Sequence, residues 1–326
     1  MQRNKPALGN FHTLTIEDFA NMFKTSVDDI PAVCWDLVAR SDFRYDVLKG
    51  VEKNEVISRV FRVLHTDSLK ASGPHRRQDW ETGWAENLEG YLKNSKDLNH
   101  LIPRFVRQKE VVRFRDEYIM PADASFETSF VKVLRYYLFL RYFSPFSRIL
   151  EFGCGTGLNL VAASEMFPEK EFVGLDWSEA SCTIVTELAH SLNINLRSRL
   201  FDMFSPDETL EMDPNCALFT VGAMEQLGEN FRPFLDFILK KRPGICLNIE
   251  VIYELHDKNS LLGYMGAAYM EKRNYLRGLL PYLKELENSG NIEILEIART
   301  IGSLYHDAYC YVVWKVKPQR QVEGCS

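Results

Sequence analysis

Beyond Pro145 the chain alternates short apolar runs with stretches of helical length, and few architectures accept that pattern. Runs of strand length fall at 148–152, 171–175, 196–201, 216–221 and 244–251. Helical stretches over 158–166, 179–192 and 231–240 lie between the first five strands. Strands joined through crossover helices lie parallel, because a tight turn can only join antiparallel neighbours. A further helix, from 261 to about 287, precedes a sixth strand at 292–299. The seventh, 308–316, follows after a short Gly302-Ser303 connection, which makes the last two strands an antiparallel hairpin at one edge. The spacing predicts an α/β fold with a seven-stranded, mostly parallel sheet.

The first 125 residues follow another grammar. Ile16, Phe19, Ala20 and Phe23 have helical spacing behind Thr15 as a cap, with Glu17 and Asp18 in the first turn. Residues 26–40 repeat the design and 52–64 give a third helix. Gly73-Pro74, Gly83, Gly90, Pro103 and Pro121 then punctuate short segments, before a long helix from Phe126 to about Phe143. The expected division is a mostly helical N-terminal cap, 1–125, ahead of a second domain, 126–326.

Composition narrows the partners. Hydrophobic residues at 46% and charged residues at 26% suit a chain with a sizeable core. No run approaches about 18 apolar residues, and the first residues hold no apolar leader, so the expectation is a cytoplasmic protein without a membrane partner. The net charge is −6, with the acidic excess entirely beyond residue 125. A phosphate backbone calls for a basic stripe, so nucleic acid is not an expected partner. Seven cysteines (34, 154, 182, 216, 246, 310 and 325) contain no C-x-x-C pair, which argues for free thiols and against a zinc site or any other metal centre.

The chemistry centres on Glu151-Phe152-Gly153-Cys154-Gly155-Thr156-Gly157, a strand running through a glycine-rich turn into a helix. Glycines permit the tight turn and close backbone approach, and the helix N-terminus offers free N–H groups. Glu151 can hold an ammonium group, directly or through water. Asp176 ends the second strand 19 residues after Gly157, where an acid can grip both ribose hydroxyls. Asp202 ends the third strand, where a carboxylate can accept from an adenine amino group. Amino acid, ribose and adenine contacts in this order describe S-adenosyl-L-methionine. A dinucleotide site expects G-x-G-x-x-G, whereas here the spacing is G-x-G-x-G followed by Leu158.

E-F-G-C-G-T-G followed by G-L-D-W resembles the class I S-adenosylmethionine-dependent methyltransferase superfamily. The resemblance spans roughly 126–316, with its sharp motifs in 149–222. It implies a Rossmann-like sheet of five parallel strands closed by an antiparallel hairpin, under an N-terminal helical cap. It also implies that Gly153, Cys154, Gly155 and Gly157 line the methionine end, Asp176 and Trp177 the ribose and adenine, and Asp202 and Met203 the adenine, with Gly222 bordering the cofactor.

The acceptor of the methyl group is less constrained. In such a fold it sits beyond the C-terminal ends of the fourth and fifth strands. There the sequence places Gly222-Ala223-Met224-Glu225-Gln226, then Asn248, Glu250, Tyr253 and His256. An Asn/Asp-Pro-Pro-Tyr motif is absent from this position. Glu225 is the first candidate base, Glu250 the second and His306 the third. Asn248, Tyr253, Trp80 and Trp84 are candidate acceptor contacts. Plainer roles compete: Glu225 as a helix-start acid, Glu250 in ordinary pairing, the tyrosines and His306 in packing, the tryptophans in lid packing. Arg104, Arg107, Lys109, Arg113 and Arg115 could clamp an anionic substrate or form a solvated face. The expected function is methyl transfer to an N or O atom of a small polar metabolite, an amine, guanidine or sugar. A protein methyltransferase and a non-catalytic cofactor-binding partner are the alternatives.

Overall fold

The computed structural model describes residues 11–67, 69–103 and 110–318. The N-terminal part runs β1 (His12–Thr13), α1 (Ile16–Phe23), α2 (Ala32–Arg40), β2 (Arg44–Val47), α3 (Gly50–His65), α4 (Arg77–Lys93), β3 (Val112–Phe114) and β4 (Glu117–Pro121). Then come α5 (Phe126–Tyr142), β5 (Arg148–Phe152), α6 (Leu158–Met166), β6 (Glu171–Asp176), α7 (Glu179–Leu192), β7 (Leu196–Leu200) and β8 (Cys216–Val221). The chain finishes with α8 (Arg232–Lys241), β9 (Ile245–Glu250), α9 (Leu261–Arg273), α10 (Leu279–Asn288), β10 (Ile292–Ala298) and β11 (Cys310–Val316).

The main sheet has the order β10-β11-β9-β8-β5-β6-β7. Pairings from β9 through β7 are parallel, while β11 runs antiparallel to both β9 and β10. Every residue of β8 except Val221 is buried, and all of β9 is, as central strands covered on both faces require. Local signals set the helix ends: the Ser178 hydroxyl accepts from the Ser181 amide at the start of α7, and Asn193 closes it in a left-handed conformation. One hydrophobic core joins α1, α2 and α4 to α5, α6, α7 and one face of the sheet; a second lies under α8 and α10 on the other face. Among the described residues no helix is long and apolar enough to cross a membrane.

Four features depart from the sequence reading. The N-terminal part contains a small antiparallel sheet, β1-β2-β4-β3, whose strands of two to five residues are too short to leave a readable alternation. The segment expected to be turn-rich around Trp80 and Trp84 is the 17-residue helix α4. Trp84, Asn87 and Tyr91 bury one face of it, and that packing outweighs a cost of about 1 kcal/mol for each of Gly83 and Gly90. The helix expected over 261–287 is two: Asn274, at φ 51°, ends α9, and Gly278, at φ 88°, starts α10.

Arg113 is the fourth. It is 2% exposed, not on a solvated face, and donates to the carbonyls of Tyr305 (2.9 Å) and Leu262 (2.6 Å), with Asp307 3.3 Å from its Nε. Its charge is spent inside the protein, tying β3 to the β10–β11 connection. Arg115 pairs with Asp18, while Arg104, Arg107 and Lys109 lie outside the described residues.

Candidate active site

The glycine turn sits at the C-terminal end of β5, enclosed on two sides. Gly153 has φ 69°, and a Cβ there would come 2.4 Å from the Ala223 methyl. Gly155 has φ 51°, and a Cβ would meet the Trp84 ring at 2.9 Å. Only glycine meets both demands, left-handed backbone and close approach. Gly157 caps α6. Cys154 is buried, with its sulfur 3.0 Å from where a Gly174 Cβ would lie, so only its backbone is left to face a ligand. Burial raises its thiol well above the usual range.

Asp176, at the end of β6, is buried behind this turn. Its Oδ2 accepts from the Gly155 amide (2.9 Å) and its Oδ1 from the Ser178 amide (3.0 Å). Burial raises its carboxyl to about 6 against those hydrogen bonds. Each oxygen keeps a lone pair free for a ribose hydroxyl. Trp177 stacks on Phe204 with ring centroids 5.7 Å apart, and the Asp202 carboxylate accepts from the Phe204 amide (2.8 Å). Glu151 is fully buried; Asn159 donates to its Oε1 (2.7 Å), and Arg135 in turn donates to Asn159 (3.0 Å). Burial raises this carboxyl to about 8, and its Oε2 has no partner.

Of these, Asp176, Trp177 and Phe204 border a cavity whose wall also includes Gly153, Met203, Gly222 and Gln226, while Glu151, Asp202 and Glu225 stand outside that wall. Trp80 and Trp84, stacked 5.5 Å apart on α4, roof the same cavity. Glu81, on the same helix, accepts from the amides of Glu179 (2.8 Å) and Ala180 (3.1 Å) at the start of α7, which pins the roof down. A buried acid and aromatic surfaces in one pocket, with the unpartnered Glu151 oxygen two residues before its Gly153, fit an amino-acid nucleoside.

The family profile described as "Methyltransferase domain" matches residues 149–228, the stretch that builds this pocket. Over that quarter of the chain the sequence is similar to a methyltransferase domain. The chain is similar to a SAM dependent methyltransferase from Aquifex aeolicus, with 18% identity, 54% of this chain and 86% of that chain covered, and a TM-score of 0.37. Similarity extends also to geranyl diphosphate C-methyltransferase from Streptomyces coelicolor A3(2), with 14% identity, coverage of 72% and 98%, and a TM-score of 0.43. For the small RNA methyltransferase HEN1 the values are 17%, 57% and 25%, and 0.44. No curated protein matches the chain.

Next to the pocket, the turn after β8 is held from beneath. Glu250 is fully buried, and accepts from the amides of Ala223 (3.1 Å), Met224 (3.1 Å) and Glu225 (3.3 Å). Burial lifts its carboxyl to about 7 against these bonds. Asn248 is equally enclosed: its amide donates to Thr220 (3.0 Å) and its oxygen accepts from the Trp314 indole (2.9 Å). Tyr253 lies outside the pocket wall, bonded to Glu271 and Lys258. Glu225 is half-buried, and Gln226 Nε2 donates to its Oε1 (3.0 Å). Burial, then the nearby Glu250 charge, raises it to about 8, while Arg273, Gln226 and Tyr275 pull the other way.

The sequence reading passed over Arg273, gave Gln226 no role in the run after the fourth strand, and weighed Tyr275 with the other tyrosines as packing or substrate contact. Arg273 donates to the Tyr275 hydroxyl (2.9 Å). His306 packs against Tyr269 and Tyr275 at 5.4 and 5.9 Å, with its Nδ1 buried and unpartnered. Burial drives its imidazole down to about 3, so it is neutral. Arg273 and Tyr275 flank the break between α9 and α10, and the unforeseen break hid their positions. Among the described residues no cluster of three or more His, Cys, Asp or Glu is placed to hold a metal ion.

Proposed function

We propose that this protein transfers the methyl group of S-adenosyl-L-methionine to an N or O atom of a small polar acceptor, with Glu225 as the base. The observation that carries the reading is the roof: Trp80 and Trp84 close over the cofactor cavity, and Glu81 anchors them to α7. A pocket walled by two stacked tryptophans suits a small molecule better than a polypeptide or a folded RNA. In this reading residues 1–125 serve as the cap and 126–326 as the cofactor-binding domain.

The cofactor supplies a methyl already activated on a sulfonium, so the chain's own work is alignment and proton handling. Glu151 Oε2 takes the ammonium end and Asp176 the ribose. Trp177 and Phe204, with Asp202 and Met203, receive the adenine, while Gly222 leaves the backbone edge open. Glu250 fixes the turn that carries Glu225. Ionised Glu225 accepts the proton leaving the acceptor's N–H or O–H as the new bond to carbon forms. Arg273 and Tyr275 lie beside Glu225, with neutral His306 packed on Tyr275, and offer hydrogen bonds to the rest of the acceptor.

The test offers purified protein and methyl-labelled S-adenosylmethionine to three pools: small amines, phenols and sugars; peptides; and RNA. Label in a small molecule is the expected result. Label only in peptide or RNA overturns the acceptor class.

A further inference from the structure

Gln226 is the residue on which the cofactor pocket and the candidate base meet. It follows β8 in a short helical turn, Met224–Leu227, and is 6% exposed. One end of its amide, Nε2, donates to Glu225 Oε1 at 3.0 Å. An ionised carboxylate can only accept, so when Glu225 is in the form that acts as a base this bond fixes which way the amide faces. The other end, Oε1, is buried and has no hydrogen-bond partner. The side chain lines the cavity beside Leu227, Phe201, Phe204 and Trp177. A buried carbonyl oxygen left bare costs free energy that a ligand N–H in the cavity would recover. S-adenosylmethionine has two such sources, the adenine amine and the methionine ammonium.

We propose that Gln226 reads the cofactor and positions the base through one amide: Oε1 accepts an N–H of bound S-adenosylmethionine while Nε2 holds Glu225 towards the acceptor. The inference rests on the cofactor assignment. The cavity that Gln226 lines is walled mainly by aromatic and apolar side chains, Asp176 apart, which favours the flat adenine and its amine as donor. The Glu151 oxygen already provides for the ammonium. Because the two halves of the amide cannot turn independently, an occupied cofactor site and an oriented Glu225 reinforce each other.

Calorimetry on wild type and Gln226→Leu would use three probes: S-adenosylhomocysteine, its analogue lacking the adenine amine, and its analogue lacking the ammonium. Failure of S-adenosylhomocysteine to bind wild type would sink the cofactor assignment itself. If it binds, wild type is expected to lose about tenfold more affinity than Gln226→Leu when the adenine amine is removed, a coupling of about 1.4 kcal/mol. Coupling to the ammonium analogue instead still supports a cofactor N–H as the ligand of Oε1. Equal losses in both proteins with both analogues overturn it. The positioning half has its own readout, the Glu225 carboxyl titration followed by infrared difference against Glu225→Gln. Removing the donated N–H should move that midpoint upward; an unmoved midpoint overturns the positioning role. Gln226→Met, closer in shape, repeats both measurements if the leucine variant melts early.

Discussion

Glu151 and Glu250 end two strands of the same sheet, β5 and β9, with only β8 between them. Both are shut away from water, and burial raises both above the ordinary carboxylate range. Their surroundings separate them. Glu250 spends its oxygens on three backbone amides of the turn after β8. Glu151 has one amide donor from Asn159 and an oxygen with nothing bonded to it. Degree of burial therefore says little about function here, whereas the count of unfilled lone pairs says a good deal. On the β5 side, an acid oxygen is left without a partner; on the β9 side, the acid is part of the frame.

Glu225 tests that division, because it stands on the frame side yet is the candidate base. Glu225→Gln keeps size and shape but removes the charge. Turnover with an identified acceptor should fall by ~10²–10⁴-fold while cofactor affinity changes little. In wild type the rate should rise with pH through about 8, because the ionised form is the one that accepts a proton. A variant within about threefold of wild type, with the pH limb unchanged, would remove Glu225 from the chemistry. The next largest effect belongs to Glu250→Ala, which strands three buried amides. A stability loss of about 3–5 kcal/mol is expected from urea unfolding. A loss below about 1 kcal/mol would mean that the turn holds itself.

The same contrast explains what the sequence could reveal. The glycine turn was legible because its requirement is local: positive φ and close approach leave their mark on three residues within five positions. Asp176 was legible because a strand end lies at a predictable distance from that turn. The main sheet followed from runs apolar enough to be central, and its seven strands stand where the spacing puts them, within two residues at each end. The role of Glu250 was hidden, since the amides that occupy it lie 25 to 27 positions earlier in the chain. The Trp84 roof depends on a contact with Gly155 across 71 residues, and Arg113 is neutralised by groups near residue 307. Long-range pairing of this kind has no periodicity to betray it.

Asp176→Ala probes the glycine-turn side directly. The variant loses the ribose-facing oxygens and also frees the Gly155 and Ser178 amides, so the glycine turn loosens. Affinity for S-adenosylhomocysteine should drop by about 2–4 kcal/mol in calorimetry. Unchanged affinity would remove the ribose assignment and with it half of the contrast.

The smallest effect on binding, and the one that sharpens the comparison most, belongs to Glu151→Gln. The folded-state carboxyl sits at about 8 because burial disfavours its charge. In the unfolded chain the same group titrates near the ordinary ~4.3. Between these values the native protein holds a proton that the unfolded chain has released, so this group's contribution to stability falls as pH rises and levels off above about 8. Glutamine cannot ionise and carries no such penalty. The value of about 8 already includes the help of Asn159 and Arg135, so the three pH units above pH 5 set an upper bound of about 4 kcal/mol on what the variant gains over wild type at pH 9 relative to pH 5. Its affinity for S-adenosylhomocysteine should move the other way, down by about tenfold, since the ammonium loses its counter-charge. Wild-type affinity should also climb with pH towards 8, because binding the ammonium expels the proton from Glu151. The measurements are paired denaturation curves at the two pH values and calorimetry across pH 6–8.5. A variant that is less stable at pH 9 and binds as well as wild type would place Glu151 with Glu250, as part of the frame.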